Sequence, residues 1–193
     1  MFSVRIHGRG GQGAVTSAEM LSVAAFDQGL HAQAFPSFGS ERTGAPVVAF
    51  CRIDDAPIRA HDPIAEPDAI IVQDPTLLRL VPVFAGITAS GFVLVNSSGP
   101  FGHLQVDDLV SGLDPRHLVT VPATEISRQQ LGRALPNTAL LGGFAALTGV
   151  VTLAAVQDAI RQRFTGDVAE ANVEIARLAH DHVRLVIGGG VSA

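Results

Sequence analysis

The most constraining feature of the sequence is a glycine-rich stretch, HGRGGQG, between an apolar run and a helical pattern. The apolar run FSVRIH predicts a buried strand, and apolar residues then recur at helical spacing from Gln12 to Gln28. Gly8, Gly10 and Gly13 satisfy the spacing G-x-G-x-x-G in the strand–turn–helix context that the motif requires. Glycine permits backbone angles that a side chain would forbid, and the free amides at a helix start attract anions. The stretch therefore predicts a phosphate-binding turn.

Two familiar ligands of glycine loops do not fit the residues that follow this turn. A Rossmann dinucleotide site needs an acidic residue at the end of the second strand to hold the ribose hydroxyls. The stretch LHAQAFPSFG contains none, and the next acid is Glu41. The ATP-type phosphate loop needs a lysine, but all 13 basic residues are arginines. Two interpretations stay open: an anion-binding loop, with donors from Arg9 and Gln12 and close approach at Gly11, or a tight turn that binds nothing.

A second polar, glycine-flanked stretch, FGSERTGAPV, lies between two apolar runs. Its Glu41 and Arg42 are adjacent, and Ser40 and Thr43 place a hydroxyl on either side. The planar guanidinium of Arg42 offers several donors to a phosphate. The same residues also suit a local ion pair, a subunit contact or, most commonly, a plain solvated loop, and the sequence leaves these alternatives open.

Composition removes several classes of function. A net charge of −5 without a basic run argues against nucleic-acid binding, and the absence of Trp and Tyr removes the usual base-stacking side chains. The single cysteine, Cys51, excludes an internal disulfide and a cysteine-ligated cluster held by this chain alone. No metal-ligand spacing and no nucleophile elbow is present, so neither a metal site nor catalytic residues are predicted. Because 47% of the residues are hydrophobic and only 16% charged, a partner is expected to cover part of the surface.

Neither a start typical of a signal peptide nor a membrane span is predicted, so the cytoplasm is the expected compartment. The uncharged run Thr138–Val156 is long enough to be considered as a span, but three glycines interrupt it. We expect two short buried helices there, the second one capped by Thr152.

Apolar strands alternate with helical patterns along the chain. Strands are predicted over FSVRIH, LHAQAF, VVAFCRI, DAIIVQD, FVLVNSS and LVTVPA, with a short return strand after the turn DDAPIR. Helices are predicted after the glycine stretch, over ATEISRQQLG, twice within residues 138–164, and from Asp167 onward. This alternation predicts a single α/β domain with an open, Rossmann-like, mostly parallel sheet and helices on both faces. The domain is expected to span residues 1–187, followed by a flexible tail over residues 188–193.

Three stretches carry a resemblance to a known family: HGRGGQGAVTSAEML, AQAFPSFGSERTGAPVVAFCRIDDAPIR and EPDAIIVQDPTLL. They closely resemble the gamma subunit of pyruvate:ferredoxin oxidoreductase (pyruvate synthase) and of related 2-oxoacid:acceptor oxidoreductases. The resemblance covers most of the N-terminal part and resumes more loosely at NSSG, PNTALLGG and EANVEIA.

The resemblance implies one subunit of a larger enzyme, inactive alone. In this family the 2-oxoacid is decarboxylated on thiamine diphosphate with Mg, held by alpha and beta subunits. Electrons leave through 4Fe-4S clusters, including those of a ferredoxin-like subunit, to external ferredoxin or another acceptor, and coenzyme A takes the acyl group. The gamma subunit helps to bind and position coenzyme A.

The substrate implied by the resemblance is pyruvate. Phenylglyoxylate, 2-oxoglutarate, branched-chain 2-oxoacids and oxalate are alternatives. A purely structural assembly subunit and an independent NAD- or FAD-dependent enzyme also stay open as functions.

The resemblance also implies where coenzyme A is contacted. The expected contacts are Gly8, Arg9, Gly10, Gly11, Gln12 and Gly13, with a facing loop of Ser40, Glu41, Arg42 and Thr43 directed at coenzyme A or at the thiamine-bearing subunits. Asn137 precedes a predicted helix, where its side chain either caps the backbone or reaches the ligand, and capping is the expectation. Some relatives carry ERRGAP where this chain has ERTGAP, so this chain has one positive charge fewer at that place. Because the chain has no lysine, any contact to the ribose phosphate of coenzyme A must come from arginine or from another subunit.

Overall fold

The structure is a computed structural model that describes residues 1–37 and 44–189. Six strands form one sheet in the order β2-β3-β1-β4-β5-β6. The strands are β1 (Phe2–Arg9), β2 (His31–Pro36), β3 (Pro46–Asp54), β4 (Ala69–Val72), β5 (Phe92–Asn96) and β6 (Leu118–Val121). Strands β1, β4, β5 and β6 pair in parallel, whereas β3 runs antiparallel to β1 and β2. The predicted single α/β domain with a mostly parallel sheet is confirmed.

The predicted helices are present in the predicted order. The helices are α1 (Ala14–Asp27), the single turn α2 (Asp107–Val110), α3 (Ala123–Leu131), α4 (Asn137–Thr148), α5 (Leu153–Arg163) and α6 (Gly166–Gly188). The single turn α2 is an addition that was not predicted from the sequence. The uncharged run divides into α4 and α5 as expected, and the Thr152 hydroxyl caps α5 by accepting from the Ala155 amide at 3.1 Å. No helix within residues 1–37 and 44–189 combines the length and apolar character needed to cross a membrane. Helix α6 includes Gly188, and residues 190–193 of the predicted tail lie outside the described residues.

All the long helices pack on one face of the sheet. Side chains such as Ile6, Ile71 and Leu94 point from the strands into a core shared with α1, α4, α5 and α6. Helix α4 is apolar around most of its circumference and is buried from Asn137 to Ala146, which is the behaviour of a helix surrounded by protein. Glycines that interrupt the uncharged run allow this burial, because Gly142 lies directly against the backbone of α6 at Ala176.

The opposite face is covered by short helices and irregular chain. Over the parallel strands, Ile70 and Val93 pack against Leu77 and Phe101 of two 3-10 turns and against Val110 of α2. Helices therefore lie on both faces of the sheet, as predicted, but those on this face are only one or two turns long.

Two buried arginines hold irregular chain over the antiparallel part of this face. Arg52 donates to the carbonyls of Ala60 and Asp62, and Arg5 donates to the carbonyls of Ile64 and Val83 (2.9 Å) and, further on, of residue 85. The predicted return strand after DDAPIR is wrong, since the described chain from residue 55 to residue 68 contains no strand. Guanidinium groups, rather than a neighbouring strand, satisfy these backbone carbonyls.

The order of the strands defines one crevice. From β1 the chain passes through α1 to β2 and β3 on one side, whereas β4, β5 and β6 lie on the other side of β1. The carboxyl ends of β1 and β4 therefore flank a topological switch point, where ligands of open α/β sheets bind. The glycine stretch directly follows β1 at this point.

Candidate functional site

The glycine loop (residues 8–13) forms the predicted turn from β1 into α1. Strand β1 ends at Arg9, and α1 begins at Ala14 with Gly13 as its N-cap. Gly11 has a φ of 96° and Gly13 a φ of 81°, a left-handed conformation that favours glycine. The amide of Gln12 donates to the Arg9 carbonyl at 2.9 Å and closes the turn. The predicted strand–turn–helix context is therefore confirmed.

Two glycines of the loop are needed for close packing as well. A Cβ atom on Gly8 would lie 2.5 Å from Oε1 of Gln73, the residue that follows β4. A Cβ atom on Gly13 would lie 3.0 Å from Nδ2 of Asn137 at the start of α4. Any side chain at Gly8 or Gly13 would therefore displace the polar groups that surround the loop.

Arg9 connects the loop to both neighbouring chain segments. Its Nε forms an ion pair with Asp74 at 2.8 Å, its Nη1 donates to the Gly44 carbonyl at 3.0 Å, and its Nη2 donates to Oγ1 of Thr76 at 2.7 Å. The Gly10 amide also donates to the Ala45 carbonyl at 2.9 Å, which continues the β1–β3 pairing into the loop. The guanidinium of Arg9 therefore holds the loop in place, and its contact to a phosphate stays a prediction.

Gln12 and Asp74 complete this tether. Gln12 accepts from the Arg9 amide at 2.7 Å and donates to Asp74 at 3.2 Å. Burial acts to raise the pKa of Asp74, but the hydrogen bonds donated by Thr76, Arg9 and Gln12 together lower it below its usual value. Asp74 is therefore charged at neutral pH, and Arg9 compensates that charge.

The backbone of the loop offers the donors that its side chains do not. Helix α1 has no side-chain cap and no acidic residue in its first turn, and its first helical bond is the one from Ser17 to the Gly13 carbonyl. The amides of Gly11 and Gly13 and of the first turn of α1 make no hydrogen bond within residues 1–37 and 44–189. Unpaired amides at a helix start, with the positive end of the helix dipole, form an anion-binding site.

A buried polar network supports the crevice from behind. Asn96 at the end of β5 donates to the Gln73 carbonyl and to Thr124, both at 2.8 Å, and Gln73 donates to Ser17 of α1 at 3.0 Å. Ser17 in turn donates to the Gly13 carbonyl at 3.0 Å. The network links the ends of β4 and β5 to the glycine loop.

Sequence reasoning missed Gln73, Asp74 and Thr76 as parts of this site. The available signal was a polar pair, Gln73 and Asp74, directly after the apolar run AIIV. Polar residues at the carboxyl end of a buried strand open on the ligand edge of such a sheet. The tail of FVLVNSS carries the same signal, and its Asn96 belongs to the network.

His7, near the end of β1, is also a buried polar residue. It lies on the face of the sheet opposite the long helices. Neither of its ring nitrogens has a hydrogen-bond partner within the described ranges. Burial lowers the pKa of His7 to about 4, and the charge of Arg5 contributes to this shift. His7 is therefore neutral at physiological pH.

The remaining predicted site residues divide into two groups. Ser40, Glu41, Arg42 and Thr43 lie outside the described residues, so their proposed role stays a prediction. The capping role expected of Asn137 is wrong, because Pro136 occupies the cap position and α4 has no side-chain cap. Asn137 is already the first residue of the helix, and its side chain instead faces Gly13.

Metal-ligating residues are not brought together in the part of the chain that the structure describes. Over residues 1–37 and 44–189, no three His, Cys, Asp or Glu side chains converge to hold a metal ion. Cys51 is fully buried, and burial raises the pKa of its thiol to about 12, which suits a core residue.

Comparison with known proteins identifies similar chains. A family model described as pyruvate ferredoxin/flavodoxin oxidoreductase matches residues 3–182. The gamma subunit common to the pyruvate and ketoisovalerate oxidoreductases of Thermococcus kodakarensis is 47% identical over 181 residues, which are 93% of this chain and 95% of that subunit.

Two solved structures share the fold. The crystal structure of pyruvate oxidoreductase subunit PORC from Thermotoga maritima has a TM-score of 0.78 at 34% identity, covering 93% of this chain and 95% of that one. The 2-oxoglutarate:ferredoxin oxidoreductase from Magnetococcus marinus, with 2-oxoglutarate, coenzyme A and succinyl-CoA bound, has a TM-score of 0.75 at 16% identity. That match covers 100% of this chain and 32% of the other.

Proposed function

Because this chain belongs to the pyruvate ferredoxin/flavodoxin oxidoreductase family, as a gamma-type subunit, we propose that it helps to bind and position coenzyme A for acyl transfer. The subunit itself supplies no catalytic group, and thiamine diphosphate and the iron–sulfur clusters belong to its partner subunits. Pyruvate is the proposed 2-oxoacid. The gamma subunit of Thermococcus kodakarensis is named for both pyruvate and ketoisovalerate enzymes, which supports placing substrate choice in other subunits.

The observation that carries this proposal is the set of unpaired backbone amides at the switch-point crevice. The amides of Gly11, Gly13 and the first turn of α1 are donors at the start of one helix, where the helix dipole is positive. Coenzyme A carries its phosphates in a diphosphate and a ribose phosphate, which are the groups that such amides bind. The Magnetococcus marinus enzyme of the same fold holds coenzyme A, which supports this choice among phosphate ligands.

The chain's own residues do not suit the other cofactors of the family. A 4Fe-4S cluster takes four cysteine ligands, and this chain has only Cys51. Alpha and beta subunits and a ferredoxin-like subunit are therefore the proposed partners, with external ferredoxin or another carrier as electron acceptor.

A charge placed at the start of α1 tests the proposal. Thr16 lies half-buried in the first turn, and Thr16→Glu adds a negative charge there. A carboxylate at a helix start stabilises the helix by about 0.3–1 kcal/mol, but it repels a bound phosphate. We expect the KM for coenzyme A of the assembled complex to rise about tenfold, which corresponds to about 1.4 kcal/mol. The rate at which the acceptor is reduced before coenzyme A reacts should stay unchanged.

Thr16→Gln is the matched control, because it has the same length without the charge. It should keep the KM for coenzyme A within about twofold of the unmodified complex, which is less than about 0.5 kcal/mol. An unchanged KM in Thr16→Glu would instead favour a structural assembly subunit whose loop binds nothing. Weakened association of the complex with normal coenzyme A saturation would identify that alternative.

A further inference from the structure

A second cavity lies beside the glycine loop, on the helical face of the sheet. It has a volume of about 390 Å³, within the range of roughly 300–1,000 Å³ that is usual for small-molecule sites. We call it the arginine cavity. Its lining residues come from α1, α3, α4, α5, α6 and the segment between α3 and α4: Thr16, Leu131, Arg133, Leu135, Asn137, Arg163, Phe164, Val168 and Asn172.

Asn137 connects this cavity to the glycine loop. It is 93% buried, since only 7% of its surface is exposed, and its side chain makes no hydrogen bond within residues 1–37 and 44–189. Its Nδ2 is also the nearest atom to a Cβ placed on Gly13. The neighbouring Asn172 is satisfied, because it donates to the Val168 carbonyl and accepts from Thr138. Asn137 is thus a largely buried residue that lines the cavity beside Gly13, and its amide has no partner within the described ranges.

The electrostatic character of the cavity is positive. Arg133 and Arg163 are exposed and line the cavity, and neither forms an ion pair or a side-chain hydrogen bond in the described part of the chain. No acidic residue is among the lining residues. Helices α1 and α4 both begin there without a side-chain cap, so their first amides add partial positive charge.

The other lining residues are apolar. Phe164 is the aromatic member, and Leu131, Leu135 and Val168 complete that part of the lining. A ligand for this cavity therefore combines an anionic group with a flat apolar one. A phosphorylated nucleoside has this combination, because a base packs on apolar and aromatic side chains while a phosphate pairs with guanidinium groups.

We infer that the arginine cavity binds the 3′-phosphorylated adenosine end of coenzyme A, with Arg133 and Arg163 on the ribose phosphate. This inference rests on the proposed function, in which the glycine loop takes the diphosphate. Asn137 lies between the two subsites and supplies the polar contact to the part of the ligand that joins them. Because the chain has no lysine, both cationic side chains that line this cavity are arginines.

The test compares coenzyme A with 3′-dephospho-coenzyme A in the assembled enzyme complex. We expect the unmodified complex to have a lower KM for coenzyme A than for 3′-dephospho-coenzyme A. Arg133→Gln and Arg163→Gln should each raise the KM for coenzyme A about tenfold, as expected for the loss of one charge-assisted hydrogen bond. In both variants the KM for 3′-dephospho-coenzyme A should stay within about twofold of its value in the unmodified complex. Arg184→Gln, on exposed α6 outside the cavity, is the matched control and should change neither value. Arg163→Lys should keep part of the preference, because it keeps the charge.

Three results would overturn the inference: no preference in the unmodified complex, no change in either glutamine variant, or an equal rise for both forms of the coenzyme. Thermal unfolding of the variants shows whether an equal rise comes from misfolding. Failure of the inference is distinguishable from failure of the proposed function. Thr16 itself lines the arginine cavity, so the arginine variants decide between the two sites. If Thr16→Glu still raises the KM for coenzyme A while Arg133→Gln and Arg163→Gln do not, only the arginine cavity is wrongly assigned. If Thr16→Glu has no effect either, the proposed function fails as well.

Discussion

At the scale of single residues, Asp74 receives hydrogen bonds from three residues in two parts of the chain. Arg9 and Gln12 donate to it from the glycine loop, and Thr76 donates to it from the turn after β4. Asp74 thereby holds the loop against the next strand of the sheet. The Arg9 guanidinium compensates the charge of Asp74, and the balance between burial and the donated hydrogen bonds sets its pKa.

Replacing this carboxylate should loosen the loop and change the acid sensitivity of the fold. The folded pKa of Asp74 is lowered, so its stabilisation is present above the unfolded pKa of about 4 and is lost as the pH falls through the folded value. We expect Asp74→Asn to lower the free energy of unfolding at pH 7 by about 1.5–3 kcal/mol, with a smaller difference at pH 3. Urea unfolding at both pH values measures this.

The control for this prediction is Glu66→Gln, which removes an exposed carboxyl that makes no side-chain hydrogen bond in the described ranges. Its stability should match that of the unmodified chain at pH 7. A constant difference between Asp74→Asn and the unmodified chain from pH 7 to pH 3 would show that the charge of Asp74 is not the stabilising feature.

Single-residue roles were the part of the site least accessible to sequence reasoning. The glycine loop was located correctly because its spacing and its strand–turn–helix context are local. Arg9 was assigned as a ligand contact, but three of its N–H groups have partners within the chain. Its main partner, Asp74, is 65 residues away, and only the parallel pairing of β1 with β4 brings the two together. No local pattern specifies that pairing.

At the scale of secondary-structure elements, α4 depends on glycine for its position. Gly142 packs on the backbone of α6 at Ala176, and Gly143 packs on the side chains of Leu94, Val121 and Val183. In an isolated helix both glycines would be unfavourable. Here they allow α4 to lie between the sheet and α6 without a gap.

Gly142→Ala distinguishes helix propensity from close packing by the sign of the change in the free energy of unfolding. Helix propensity alone predicts a gain of about 0.8–1 kcal/mol, whereas an added methyl group against the carbonyl of Ala176 should cost about 1–3 kcal/mol or more. We expect net destabilisation, measured as a lower midpoint in thermal or urea unfolding. Gly112→Ala, where a Cβ meets nothing within 4 Å, is the control and should have little effect. A more stable Gly142→Ala protein would contradict the close α4–α6 packing.

Most elements could be predicted from the sequence, because apolar periodicity reports directly on burial. The strand expected after DDAPIR failed for a physical reason that the pattern does not show. Arg5 and Arg52 occupy strand positions that usually face solvent, but both are buried under this segment and bind its carbonyls. A buried guanidinium with backbone acceptors looks, in sequence, like an ordinary exposed arginine.

At the scale of the whole molecule, the described part of the crevice combines a tethered glycine loop with unpaired backbone amides at the start of α1. Several described polar residues at the crevice bind one another, as in the Asn96–Gln73–Ser17 network, and backbone amides of the glycine loop are donors there. This distribution agrees with the proposal of a subunit that holds a cosubstrate for chemistry carried out by its partners.

The purified chain alone should therefore show no 2-oxoacid oxidation with any acceptor, because the proposed thiamine and cluster sites lie in other subunits. Adding it to the partner subunits prepared without it should restore coenzyme A-dependent reduction of ferredoxin. The measurement is acceptor reduction with pyruvate and a panel of other 2-oxoacids, with heat-unfolded chain as the control. Turnover by the chain alone would contradict its assignment as a non-catalytic subunit.

The Arg9–Asp74 ion pair has a consequence for how the protein is made. During synthesis the glycine loop leaves the ribosome well before Asp74, since 65 positions separate the pair. Until β4 is released and aligned beside β1, the Arg9 guanidinium lacks the counter-charge of Asp74, and the loop lacks the neighbouring strand that holds it. The proposed ability to hold a phosphate of coenzyme A would therefore be acquired late, as a property of a finished subunit, and a truncated or half-folded chain would not compete with it for the coenzyme.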